Sequence, residues 1–314
     1  MSCLTPALCA AQHGAPDYPQ RPIRMIVPFA PGGSVDLLAR LFASRLSSTM
    51  GQQVIVDNRG GGGGNIAAQS LAQANPDGYT LMTTISNVVT NPAVNPRVEY
   101  DPVRDFTAIL LFGKSPFRIV VNPKLPASTI QEWHALAKAK PGALNYGSAG
   151  TGTGQHLTVE LFKIMAGVNI VHVPYKGAGP ALIDLIGGQI QMMFGGTLSV
   201  APHVKAGRLR ALAVTSLKRR PETPEQPTVS ETIVPGFEAV EWFGVIGPAR
   251  LPKPLLARLH AELLQAVNHP EMKERILADG MDILTGTPDE FAAHIRQELA
   301  KWRKVVKQSG ITAE

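Results

Sequence analysis

Beginning at Arg21, short apolar runs alternate with stretches whose apolar residues recur every three to four positions. Ile23–Val27 (IRMIV) predicts a buried strand, and Val35, Leu38, Leu41, Phe42 and Leu46 are spaced for one helix face. A strand over 54–56, a helix over 65–74 closed by Asn75-Pro76-Asp77-Gly78, and a strand over 79–84 complete a βαβαβ run. That order predicts a parallel sheet covered on both faces, with right-handed crossovers. The alternation repeats after Pro116. Strands are expected over 117–121, 144–148, 170–173, 190–194 and 209–215, with helices over 130–139, 153–165, 180–186 and 198–205 between them. Ser128-Thr129-Ile130-Gln131 has the form of a capping box for the first of those helices. Residues 217–236, rich in Pro, Glu and Thr, predict a crossing segment, and a strand resumes over 240–246. Two amphipathic helices end the chain. One carries Leu255, Leu256, Leu259, Leu263 and Val267; the other opens at Thr287-Pro288-Asp289-Glu290 and carries Phe291, Ile295, Leu299, Trp302 and Val306. Two α/β units result, with the last helices expected to return to the first.

A chain of 314 residues has room for two units of about 150 residues each. Charged residues make up 17%, below the roughly 25% of average globular chains, so a disordered polyelectrolyte is excluded. No run approaches the roughly 18 apolar residues of a membrane span. The net charge of +6 is scattered, and its one cluster, Lys218-Arg219-Arg220, is too short for a nucleic-acid stripe. No nucleic-acid partner is expected. Both cysteines, Cys3 and Cys9, precede the first strand, which removes thiolate nucleophiles and Cys-ligated metals from the folded body. Residues 4–12 (LTPALCAAQ) resemble the tail of a secretory leader, and 1–17 is taken as a leader remnant. Leu8 stands where a lipoprotein anchor at Cys9 would need a small residue.

Three glycine-rich turns lie between a strand and a helix: Pro31-Gly32-Gly33-Ser34, the glycines 60–64 before Asn65, and GSAGTGTG over 147–154. Free N–H groups at a helix N-terminus, with the helix dipole behind them, suit an anion. The structural alternative for each is a plain βα loop. Gly-Lys-Ser/Thr is missing from all three, Gln155 interrupts G-x-G-x-x-G, and Ser148 is not centred in G-x-S-x-G. His156 and Glu160 at i,i+4 predict a helix-surface pair rather than half a metal site. Asp36 is expected to cap the first turn of its helix. No metal and no cofactor are called for, and the chain is better equipped to bind an anion than to transform it.

Tyr18-Pro19-x-x-Pro22-Ile23-Arg24-x-Ile26-Val27-Pro28-Phe29-x-Pro31-Gly32-Gly33-x-x-Asp36, Val56-Asp57-Asn58-Arg59 and Pro76-Asp77-Gly78-Tyr79-Thr80-Leu81 resemble the tripartite tricarboxylate transporter receptors, also called Bug receptors. Leu144-Asn145-Tyr146-Gly147-Ser148-Ala149-Gly150, His172-Val173-Pro174-Tyr175-Lys176-Gly177 and Trp242-x-Gly244 continue the resemblance, which covers 18–311. It implies a type II periplasmic-binding-protein fold: two α/β lobes joined by two crossing strands, with the ligand between them. The expected division is 18–117 and 240–314 for lobe 1 and 118–239 for lobe 2, with crossings near 114–118 and within 228–241.

The resemblance further implies a periplasmic receptor, acting as a monomer, for a small mono-, di- or tricarboxylate or acidic amino acid. Its partners would be the membrane subunits of a tripartite transporter, or a sensor kinase. Expected ligand-binding residues are Phe29, Ala30, Gly32, Gly33, Ser34, Ser86 and Asn87 from one side. From the other come Ser148, Ala149, Gly150, Thr153, Pro174 and Gly195. A carboxylate is expected between the Gly32–Ser34 and Ser148–Thr153 turns, held by N–H groups and hydroxyls, with Lys176 at the rim. Family members often have Asp after the Met-Phe pair, where this chain has Gly195, so an amino-acid ligand would need another partner for its cation. The alternative is an enzyme acting on a small carboxylate with the same scaffold, for which the uncoupled His and Asp residues offer no acid–base pair.

Overall fold

A computed structural model describes residues 18–278 and 280–309; the 1–17 leader expectation lies outside the described residues. The first βαβαβ run forms as β1 (Ile23–Val27), α1 (Ser34–Met50), β2 (Val54–Asn58), α2 (Asn65–Ala72) and β3 (Thr80–Ile85). After α3 (Asn87–Val94), β4 (Phe106–Val121) opens the second series: α4 (Ile130–Ala139), β5 (Asn145–Ser148), α5 (Gly154–Ala166), β6 (Val171–Pro174), α6 (Ala178–Gly187), β7 (Met192–Gly196), α7 (Thr197–Lys205) and β8 (Arg210–Val214). The chain ends with α8 (Val229–Thr232), β9 (Val240–Pro248), α9 (Lys253–Asn268), α10 (Pro270–Ala278), β10 (Asp282–Ile283) and α11 (Pro288–Ser309).

Strand order is β2-β1-β3-β9-β4-β7-β5-β6, with β10 and β8 also pairing with β4. The triplets β2-β1-β3 and β7-β5-β6 are parallel, as the βαβ alternation requires. They are joined by β9 and β4, which run antiparallel to each other and to the adjoining β3 and β7. β4 serves both halves. Its register on β9 ends at Pro116↔Val240, and its register on β7 begins at Phe117↔Gly196. The sequence pattern started this strand at 117 because proline breaks ladders. Here Pro116 is the last residue of the β9 register, so its missing N–H falls at the end of that ladder and the strand runs on through it.

Each sheet half is covered on both faces. Leu255, Leu259, Leu263 and Val267 of α9 join Leu38, Phe42 and Phe112 in one core. Phe291, Ile295, Leu299 and Trp302 of α11 pack with Ile26, Met82 and Trp242 on the opposite face. Each such side chain contributes about 1.5–3 kcal/mol on burial. In the other half, Trp133, Phe162, Phe194 and Phe237 form one core and Leu185, Met193 and Val200 another. The expected capping box lies one residue later than its sequence form. Thr129, not Ser128, is the N-cap: it accepts the Glu132 N–H, while Glu132 accepts the Ser128 N–H. Helix α3 was illegible because Asn87, Thr90 and Asn91 are buried in it and break the apolar period. Their side chains instead reach the carbonyls of Gly63 and Gly152.

Candidate functional site

The loop from β1 to α1 lies against the start of α6. Ala30 N–H donates to the Lys176 carbonyl at 2.9 Å, and a Cβ built on Gly33 would lie 3.4 Å from that of Ala178. Where these segments meet is a narrow cavity of about 50 Å³. Phe29, Ala30, Gly33, Ser34 and Val35 form one wall. Ser115, Pro116 and Phe117 of β4, with Glu241 and Phe243 of β9, form the floor. Ala149, Gln155, Ala178 and Gly196 face them from the other half.

Most of this lining is apolar, and among the described residues no lysine or arginine lines it. The N-terminus of α1 brings hydrogen-bond donors and the positive end of a helix dipole to it. The helix starts at Gly33, which supplies no side-chain cap, so the first-turn N–H groups have no acceptor within the helix. The first helical bond is Leu37 N–H to the Gly33 carbonyl. Ser34 is 8% exposed, and among the described residues its Oγ has no hydrogen-bond partner. Asp36 sits in the same turn but is already neutralised. Its carboxylate accepts from Gly32 N–H, Arg40 and Asn58 at 2.9–3.1 Å. Burial pushes its pKa up, but these hydrogen bonds and the Arg40 charge outweigh that and hold it below the usual carboxylate range. Asp36 thus fixes the loop through Gly32, ahead of the helix, rather than capping the first-turn N–H groups as expected.

Glu241 is the other acid on the wall, 5% exposed. Oε1 accepts the Ser86 N–H at 3.0 Å, while a Cβ built on Gly154 would lie 3.2 Å from Oε2. Burial drives its pKa up to about 7, against hydrogen bonds from Ser86 and the Trp242 N–H, and nearby Glu298 adds to the rise.

Of the expected site residues, Phe29, Ala30, Gly33, Ser34 and Ala149 line the cavity. The others do not. Gly32 donates to Asp36. Ser86 is the N-cap residue of α3, and the Asn87 amide donates to the Gly63 carbonyl at 3.3 Å. Ser148 is fully buried, its Oγ 2.7 Å from His172 Nε2 and accepting from Gly150 N–H at 3.1 Å. Thr153 caps α5 and donates to the Gly150 carbonyl. Pro174 is exposed at the end of β6. A side chain at Gly195 would collide with Val200, so packing dictates glycine there, and Gly196 supplies the wall instead.

The residues missed by sequence reading are mainly Glu241, Gln155 and the apolar floor. An isolated acid in a strand of apolar residues was the available signal for Glu241. The pairing expected of His156 and Glu160 is also different. His156 is buried, stacks on His172 at 4.1 Å and accepts the Gly152 N–H, while Glu160 binds Lys163 and the Tyr146 hydroxyl. Ser148 and His172 are a hydroxyl–imidazole pair, but off the cavity. Burial, with His156 and Lys163 nearby, holds the His172 pKa down at about 3, which makes it a poor base at neutral pH.

Residues 38–311 match the family described as the tripartite tricarboxylate transporter family receptor. The chain is 36% identical to the protein BugT of Bordetella pertussis over 303 residues, 96% of this chain and 93% of the relative. It is similar to the solved periplasmic binding protein BugD, with a TM-score of 0.91 and 34% identity, covering 95% of this chain and all of that one. The structure of R. palustris Rpa4515 with adipate gives a TM-score of 0.90 at 36% identity, covering 94% of this chain and 99% of that one. Relatives in this family are periplasmic solute-binding receptors, and the chain, with its two-halved α/β fold and interposed cavity, belongs to the tripartite tricarboxylate transporter receptor family.

Proposed function

We propose that the protein is a periplasmic receptor that holds a small carboxylate at the N-terminus of α1 and performs no chemistry on it. The observation that carries this reading is Ser34 Oγ, buried and, among the described residues, unpartnered beside the first-turn N–H groups that have no acceptor within the helix. A carboxylate there accepts both kinds of donor, and a helix N-terminus in a partly buried site contributes up to about 2 kcal/mol. Neutral donors avoid the several-kcal/mol cost of keeping a buried lysine or arginine unpaired once the ligand leaves. Adipate in Rpa4515 supports the ligand class.

The lobes are 18–117 with 240–314, and 118–239. They close on the ligand by hinging where β4 changes partners and where the chain re-enters β9. The receptor works as a monomer and hands its ligand to the membrane subunits of a tripartite transporter, with a sensor kinase as the second destination. Titration calorimetry with succinate, adipate and their ω-hydroxy counterparts tests the reading. One-to-one binding that Ser34→Ala weakens, with the acid unchanged by NMR, is expected. Formation of a product would make the protein an enzyme instead.

A further inference from the structure

The cavity has two unlike ends. At one, α1 offers hydrogen-bond donors and the Ser34 hydroxyl, unpartnered among the described residues; a Cβ built on Gly196 would lie 2.5 Å from that oxygen. At the other stands Glu241, an acceptor. Gly196 and Glu241 are on β7 and β9, which flank β4 and therefore lie roughly 10 Å apart. Between them the wall is apolar: Phe29, Ile85, Phe117 and Phe243. Resting on the carboxylate-receptor reading above, we propose that Glu241 selects the ligand's second end. The receptor takes an acid that is anionic at the Ser34 end and carries a hydrogen-bond donor, a hydroxyl or an ammonium, at the Glu241 end.

The surroundings of Glu241 set its role. β4 brings Ser115 into register beside it, Ser86 at the start of α3 holds Oε1, and Gly154 of α5 faces Oε2. The titratable group facing it is Glu298 of α11; Asp36 of α1, also on the cavity, is paired with Arg40. His294 and Lys301 of α11 turn to Trp242 and Glu298. His156 of α5 turns to His172. Glu298 is an acid, and among the described residues no lysine or arginine lines the cavity to offset a second ligand carboxylate brought to this end. An ionised Glu241 repels that carboxylate, whereas a protonated one donates to it. Burial, which raises its pKa to about 7, places this change near neutrality.

The test compares 4-hydroxybutanoate with succinate and 6-hydroxyhexanoate with adipate, by calorimetry at about pH 8 and about pH 6. The wild type should prefer the hydroxy acid by about tenfold or more at the higher pH, the scale of a like-charge clash. The gap should narrow by about threefold or more at the lower pH as Glu241 gains its proton. In Glu241→Gln, whose amide can donate to a carboxylate and still accept from Ser86, the preference should flatten and lose its pH dependence. A wild type that binds the dicarboxylate more tightly at the higher pH overturns the inference without any variant. So does a Glu241→Gln protein that folds and keeps the wild-type ratio. Binding with an unmoved ratio overturns the role of Glu241 alone; failure of all four acids to bind overturns the carboxylate reading as well.

Discussion

The β1–α1 and β5–α5 loops occupy corresponding places, each rising from the middle strand of a parallel triplet into a glycine-rich turn and a helix. They differ in what they do with their own donors. In the β5–α5 loop, Ala149 N–H goes to Gln155, Gly150 N–H to Ser148, Gly152 N–H to His156, and Thr153 caps the helix. In the β1–α1 loop, Asp36 takes the Gly32 N–H, but Gly33 offers no cap and Ser34 Oγ is unpartnered among the described residues. A glycine turn before a helix is therefore an anion site only when its own side chains leave its donors free. The first loop leaves donors open, which the carboxylate reading proposed above fills with a ligand; the second gives its donors to its own side chains.

The largest effect expected comes from keeping the loops apart. Gly179, in the first turn of α6, has no room for a Cβ because the Pro31 carbonyl lies there. Gly179→Ala favours the helix locally yet obstructs its approach to the β1–α1 loop. Overpacking of this kind costs about 1–3 kcal/mol, so ligand affinity should fall by up to about a hundredfold while the melting temperature holds. Small-angle scattering should show the wild type compacting at saturating ligand and the variant not; equal compaction in both would remove this contact from closure.

Ser34→Ala and Ser148→Ala test the comparison itself. The first should cost about 1.5–3 kcal/mol of binding, the worth of a hydrogen bond to a charged group, with little change in melting temperature. The second should leave binding within about 0.5 kcal/mol but lower stability by about 1–3 kcal/mol, because His172 and the Gly150 N–H lose their partner. Calorimetry and thermal melts that return the opposite assignment would make the second loop the ligand's anchor.

Acid titration probes the second loop through His172. Folded His172 has its pKa held down at about 3, whereas an unfolded histidine titrates near 6.5. Between those values the unfolded chain binds the extra proton, so this contribution to stability is present above about pH 6.5 and is lost as pH falls toward 3. Glu241 has the opposite sign, since its raised pKa lets the folded state hold the extra proton up to about pH 7. Chemical denaturation should therefore show a shallower acid loss in His172→Gln than in wild type, and parallel curves would count against a neutral buried imidazole. The smallest effect belongs to Lys176→Ala. Its side chain is exposed and only its carbonyl meets Ala30, so binding should change by less than about 0.5 kcal/mol.

The alternation of strand and helix signals determined both parallel triplets, the return of α9 and α11 to the β1 half, and the position of the β1–α1 turn on a helix N-terminus. Those are local features, written in the periodicity of residues such as Leu38, Leu259 and Ile295 and in Pro31-Gly32-Gly33-Ser34. Which donors remain free was not local. Ser34 and Ser148 look alike in sequence, each a serine in a glycine turn. What separates them is His172, brought within 2.7 Å of Ser148 by strand pairing, and Gly196, brought beside Ser34 by the meeting of the two halves. Glu241 likewise has no motif around it, and only the registers of β4, β9 and the start of α3 put its carboxylate on the cavity wall. Periodicity fixes the elements because burial acts along one helix or strand at a time. The assignment of each polar group to chain or to ligand waits on tertiary structure, because hydrogen bonds are satisfied by whatever the fold brings within about 3 Å.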